Sequence, residues 1–191
     1  MYLKGQGVEP DLAVAAQWLT KCAEKENAQA QFHLAEMCLN GEGVAVDAQV
    51  ANDLYQKTLA GFLEIEKENS NASQEYPIAT VYEKGLGTEV DLPKAIHWFT
   101  IAADNCHAHA AYCLGKLYLH GEGVEKDNVT AFHWFLKAAE QEERNAYYAV
   151  GQMYFDGTGI AQDYTKAAIW LEKASNEDLP YADYKLGQNV F

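Results

Sequence analysis

A Gly-x-Gly pair recurs five times in this chain, at Gly5/Gly7, Gly41/Gly43, Gly85/Gly87, Gly121/Gly123 and Gly157/Gly159. The intervals are 36, 44, 36 and 36 residues, so the unit is 36 residues long and the second carries eight extra. A fixed period of this size restricts the chain to folds that stack one supersecondary unit on the next. Other columns keep the register. Four residues after the second Gly stands Asp11, Asp47, Asp91, Asp127 or Asp163, and four further on Ala15, Ala51, Ala95, Ala131 or Ala167. Next comes Trp18, Leu54, Trp98, Trp134 or Trp170, and three before the first Gly is Tyr2, Cys38, Tyr82, Tyr118 or Tyr154.

Each column has a physical reading. Before the first Gly, apolar residues at three- and four-residue steps mark one face of a helix, here named helix A. The Gly suits the left-handed residue that ends a helix. The Asp suits the N-cap of a second helix, helix B, because its carboxylate accepts from unpaired N–H groups. On helix B the small Ala permits close helix approach, and the Trp is expected to fill the space beside it. A helix pair of this size cannot bury its own core, so stacked neighbours must complete it.

Ala110-Ala-Tyr-Cys-Leu-Gly-Lys-Leu-Tyr-Leu-His-Gly-Glu-Gly-Val124, followed by Asp127, Ala131, Trp134 and Lys137-Ala-Ala139, resembles a Sel-one-like repeat, a relative of the tetratricopeptide repeats. The resemblance covers nearly the whole chain. It implies an all-α fold, a right-handed α/α superhelical solenoid of about five 36-residue helix-turn-helix repeats with a partial repeat at each end. The chain then reads as a single domain over 1–191, with units at approximately 1–27, 28–72, 73–107, 108–143 and 144–179 and a partial unit at 180–191. Relatives of this kind are mostly adaptors that hold partner proteins on a concave surface. They act in bacterial envelope and host-interaction systems and in eukaryotic degradation complexes.

The half units at the two ends lack caps, which predicts head-to-tail self-association, the last helix A completing the first unit of another copy. The eight extra residues lie near Gly61 to Ser73. Their charged part predicts a longer helix B, Asn-Ser-Asn-Ala-Ser a turn, and Pro77 the first turn of a shortened helix A.

Helix A lines the groove in such arrays, and a second stripe runs between its core columns. It reads Gln29, His33, Glu36 and Asn40 in one unit, then Ser73, Pro77, Thr80 and Lys84. His109, Cys113, Lys116 and His120 follow, then Asn145, Ala149, Gln152 and Asp156. Chemistry varies along this stripe while the core columns repeat, as a ligand-reading surface requires and as a solvated face also allows. The partner-binding candidates are therefore Gln29, His33, Glu36, Asn40, Thr80, Lys84, His109, Lys116, His120, Asn145, Gln152 and Asp156. A neighbouring aromatic column, Phe32, Tyr76, Tyr112, Tyr148 and Tyr184, reads as packing between helices.

No metal or cofactor site is expected. His109 and Cys113 share a helix face, but His120 stands eleven residues from His109, about 16 Å along a helix and too far for one ion. Some secreted, cysteine-rich relatives carry a bridged pair per repeat, and Cys106 and Cys113 nearly match that spacing. The other units lack such a pair, so no bridge is expected. The Gly-x-Gly pairs lack the third Gly or the Gly-Lys-Ser/Thr of a phosphate loop. Asn71-Ala-Ser73 and Asn128-Val-Thr130 fit the glycosylation acceptor pattern, which matters only in a eukaryotic secretory pathway.

Charge narrows the function. With 14 Lys+Arg against 28 Asp+Glu, the net charge is −14, which disfavours nucleic-acid phosphate and favours a partner of basic character. No apolar run approaches the roughly 18 residues of a membrane span. The first residues do not read as a signal peptide. Ser-x-x-Lys, His-Glu-x-x-His and Gly-x-Ser-x-Gly are absent, so no catalytic residues are assigned. The expectation is a non-catalytic scaffold for a partner protein or peptide. The alternatives are a self-associating spacer and, by resemblance alone, a peptidoglycan- or penicillin-ligand relative. The resemblance implies the bacterial periplasm or secretion, whereas four cysteines without a bridging pattern fit a reducing compartment such as the cytoplasm.

Overall fold

The structure is a computed structural model that describes residues 11–68 and 74–175. Among the described residues it contains helices and no strands. The helices are α1 (Leu12–Ala23), α2 (Ala28–Asn40), α3 (Ala48–Glu68), α4 (Glu75–Lys84), α5 (Leu92–Asp104), α6 (Ala108–His120), α7 (Asn128–Glu140), α8 (Arg144–Asp156) and α9 (Tyr164–Ser175). Even-numbered helices are helix A and odd-numbered ones helix B. The chain divides into two compact units, residues 1–91 and 92–191. In the first, α2 packs most extensively on α3, and α1 on α2. In the second, the closest pairs are α6 with α7 and α8 with α9, joined by α5 on α6 and α7 on α8.

The Gly-to-Asp segment is a double stop. Gly41, Gly85, Gly121 and Gly157 cap helix A with φ of 74°, 65°, 74° and 69°, the left-handed region that a Cβ disfavours. The backbone N–H of the Asp then returns to helix A, donating from Asp47 to the Cys38 carbonyl at 2.9 Å and from Asp127 to Tyr118 at 3.0 Å. Its carboxylate starts helix B. Asp11 accepts from the Val14 N–H at 3.0 Å, Asp47 from Gln49 and Val50 at 3.0 Å, and Asp163 from Lys166 at 3.0 Å. Asp127 accepts from the Val129 and Thr130 N–H groups and from the Thr130 hydroxyl at 2.6 Å. That hydroxyl, followed by the backbone donors, holds its carboxyl below the usual carboxylate range.

The Trp column departs from expectation. Trp18 is 56% exposed, and Trp98, Trp134 and Trp170 are half-buried. The core is filled one residue later, by Tyr55, Phe99, Phe135 and Leu171, each 2% exposed or less. At a helical step of 100° the two positions point to adjacent faces, and the sheltered one faces helix A. The indoles instead carry cations from one turn on. Lys21 sits 4.9 Å from the Trp18 ring, Lys137 4.9 Å from Trp134 and Lys173 4.2 Å from Trp170. Opposite the buried column, helix A is small. A Cβ at Gly115 would lie 2.6 Å from the Phe135 ring, and one at Gly151 2.8 Å from Leu171.

The insertion lengthens α3 to 21 residues, against 12 or 13 for the other B helices, and leaves α4 with 10. Pro77 falls in the first turn of α4. The expected Asn-Ser-Asn-Ala-Ser turn lies outside the described residues, as do Tyr184 and the ends invoked for head-to-tail association.

Candidate partner-binding surface

In the first compact unit, the stripe on α2 is a hydrogen-bonded ladder. The Gln29 amide lies 3.0 Å from His33 Nε2, and His33 Nδ1 lies 3.2 Å from a Glu36 oxygen. His33 and Glu36 are half-buried and Asn40 is exposed. Glu36 also lies close to the α3 phenol of Tyr55. Burial first, then the Glu36 charge, pushes that hydroxyl up to about 12. Phe32, beside the ladder, is buried edge-on against Tyr55 at 5.8 Å, so it packs as expected.

On α4 the stripe splits. Lys84 is exposed, but Thr80 is 7% exposed and its hydroxyl donates back to the Tyr76 carbonyl at 3.0 Å. Pro77 is buried too. Thr80 therefore offers a partner little surface.

In the second compact unit, two successive A helices meet across the stripe. His109 on α6 places Nδ1 3.1 Å from an oxygen of Glu143, the N-cap of α8. The other Glu143 oxygen accepts from the Asn145 amide at 2.9 Å. Glu143 thus spends its carboxylate on bridging two repeats and makes no cap bond of its own. Farther along, α6 and α8 open into a cleft of about 400 Å³. Tyr112, Lys116, Leu119 and His120 form one wall. Tyr148, Ala149, Gln152 and Asp156 form the other. Phe135 and Met153, both buried, lie at its base. At the rim the Gln152 amide donates to Asp156 at 3.1 Å, while Lys116 and His120 are exposed.

Four of the stripe candidates, Lys116, His120, Gln152 and Asp156, therefore share one cleft, and His109 and Asn145 share Glu143. Sequence reasoning missed Glu143, which belongs to no repeated column. It read Tyr112 and Tyr148 as packing between helices. Tyr112 does pack on Phe135, with ring centroids 5.6 Å apart, yet it and Tyr148 also line the cleft. Burial raises the Tyr112 hydroxyl above its ordinary range, with the Cys113 and Glu143 charges adding to the effect.

No three His, Cys, Asp or Glu side chains among the described residues converge as metal ligands would. No disulfide involves Cys22, Cys38, Cys106 or Cys113. Cys38 is buried, and that burial raises its thiol. No helix among the described residues is long and apolar enough to cross a membrane.

The family model for the Sel1 repeat matches residues 1–27, 28–59, 78–105, 108–143 and 144–179. The chain belongs to the Sel1 repeat family. Among solved structures, it resembles a Sel1 repeat protein from Oxalobacter formigenes, with a TM-score of 0.77 and 29% identity over 98% of this chain and 74% of that one. It also resembles a protective antigen of uropathogenic Escherichia coli strains that displays an SLR fold, with a TM-score of 0.73 and 28% identity over 98% of this chain. The chain spans 38% of that antigen's length. Cysteine rich protein B of Helicobacter pylori, 20% identical with a TM-score of 0.50 over 74% of this chain and 96% of that one, shares the fold. A comparison with curated proteins finds no match. Sel1 repeat proteins are commonly scaffolds for protein interaction and generally non-catalytic.

Proposed function

We propose that this Sel1 repeat chain is a non-catalytic scaffold that takes a partner protein or peptide on the helix-A stripe, with its best-formed site between α6 and α8. One observation carries the reading. Stripe residues from two successive repeats converge on a single cleft with an apolar base and a polar rim, the common form of a recognition site. The residues that hold the fold recur from repeat to repeat, whereas those at the rim differ. A preformed cleft on helices costs the scaffold little ordering when a partner docks. The net charge of −14 favours partners whose surface at large is basic.

The test is capture from the native host's lysate by the wild-type chain and by a variant carrying Glu36→Ala, Lys84→Ala, Lys116→Ala and Gln152→Ala. Circular dichroism verifies that both are folded. A protein held by the wild type and lost by the variant is the expected result. Equal capture by both would move the site off the stripe. Capture of nothing but the chain itself would replace the scaffold reading with self-assembly.

A further inference from the structure

Three residues after the Trp column stand Lys21, Lys57, Ile101, Lys137 and Lys173. Where Trp and Lys occur together the ammonium lies on the indole, at 4.9, 4.9 and 4.2 Å. Lys137 also meets Asp104, the last residue of the preceding B helix, at 2.8 Å. On α3 the column Trp is replaced by Leu54. Among the described residues Lys57 has neither a ring beneath it nor a carboxylate beside it. It lines instead a cleft of about 490 Å³ between the α1–α2 turn and α3. Ala23, Ala60 and Gly61 give that cleft small walls, and Glu24 and Glu26 stand at it with Lys57. Gln31, 5% exposed, lines it too. The Gln31 amide nitrogen donates to the Ala23 carbonyl at 3.3 Å. Because that carbonyl can only accept, the amide oxygen is turned away from it, and it has no partner among the described residues.

We infer that this cleft takes a tryptophan side chain of a partner protein. Every polar group on its walls enters the choice. Lys57 repels a lysine or arginine, and Glu24 and Glu26 repel a carboxylate, so only a neutral occupant meets no opposed charge. Leucine or phenylalanine would fill the space but leave the Gln31 oxygen shut off from water without a donor. An indole brings an N–H for that oxygen and the aromatic face that binds an ammonium best. It gives Lys57 the ring that Trp18, Trp134 and Trp170 give the lysines of their own helices. A volume of about 490 Å³ falls toward the lower end of ligand sites and suits one large aromatic side chain with its adjoining backbone. A Cβ on Gly61 would lie 2.9 Å from the Ala28 Cβ, so α3 is packed tightly on α2 and this wall is formed before a ligand arrives. The site shares no residue with the cleft between α6 and α8, so the two readings can fail separately.

The experiment is a proton–nitrogen NMR titration of the full chain with peptides acetylated and amidated at their ends. They share Gly-Ser flanks and carry at the centre tryptophan, tryptophan methylated on the indole nitrogen, phenylalanine, arginine or glutamate. The tryptophan peptide should shift the Gln31 side-chain amide and the backbone signals of Lys57, Ala60 and Gly61. It should bind about tenfold tighter than the methylated one, which keeps the ring and loses the donor, a difference of about 1.4 kcal/mol. Lys57→Gln should weaken the tryptophan peptide about threefold, the size of an exposed contact between a cation and a ring. Lys57 is exposed, so this change leaves folding intact. Leu54→Trp, which offers Lys57 a ring from its own helix, should weaken the peptide as well. Absence of a shift at Gln31, equal binding of the tryptophan and methylated peptides, tighter binding of the arginine or glutamate peptide, or indifference to Lys57→Gln would each overturn the inference.

Discussion

Gly157 and Gly159 are two residues apart, with φ of 69° and 72°, yet they answer different constraints. A Cβ on Gly157 would meet nothing closer than the Gln162 Cβ at 3.3 Å, so Gly157→Ala carries chiefly the left-handed penalty of about 1–2 kcal/mol. A Cβ on Gly159 would collide with the Asn128 carbonyl at the start of α7, in the repeat before. Gly159→Ala is therefore expected to destabilise clearly more than Gly157→Ala, measured as the shift in urea midpoint followed by circular dichroism. Gly43 and Gly123 sit equally close to Leu12 and Leu92, so the second Gly serves contact between repeats. Periodicity revealed that both glycines matter. It could not separate a dihedral requirement from a steric one, because the colliding atoms come from 31 residues away in sequence.

At the scale of elements, identity and burial part company. Trp stands out as a repeated letter but lies half outside the core, whereas the position beside it is buried as Tyr55, Phe99, Phe135 and Leu171 and partly buried as Leu19. Packing demands bulk there and accepts several side chains, which hides the column from a search for repeated residues. The turns from helix B to helix A are hidden for a related reason. Glu26, Cys106 and Glu142 take φ of 62°, 66° and 63° without a glycine to announce it. The lengthened α3 was legible, because a charged run continues its helical pattern. Packing between α2 and α3 also predicts a pH response. Tyr55 keeps its proton up to about 12 when folded, against the ordinary value of 10. The unfolded chain releases that proton sooner, so the stabilisation is intact below pH 10 and lost as pH rises toward 12. The thermal midpoint should fall across that window, and less steeply in Tyr55→Phe. Parallel curves for the two proteins would refute this.

For the whole molecule, a net charge of −14 on 191 residues means self-repulsion opposes the compact state. Raising ionic strength from about 0.01 to about 0.15 M shortens the screening length from about 30 to about 8 Å. The thermal midpoint should then rise by about 2–4 °C, the shift that roughly 1 kcal/mol produces in a chain of this size. A flat or falling midpoint in a sodium chloride series would show that the acidic residues are already well separated. The sequence by itself determined the repeat length, the helix pairs and their caps, and hence the all-α repeat fold. Those depend on local rules, namely glycine at positive φ, Asp at an N-cap and apolar residues at helical spacing. It also picked out the stripe that faces away from the core columns. Tertiary structure alone decided which stripe positions share a cleft. It turned Thr80 inward, spent Glu143 on His109, and brought Lys116 and His120 across from Gln152 and Asp156. Those placements depend on how one helix A lies against the next, and no period in a single strand of residues encodes that distance.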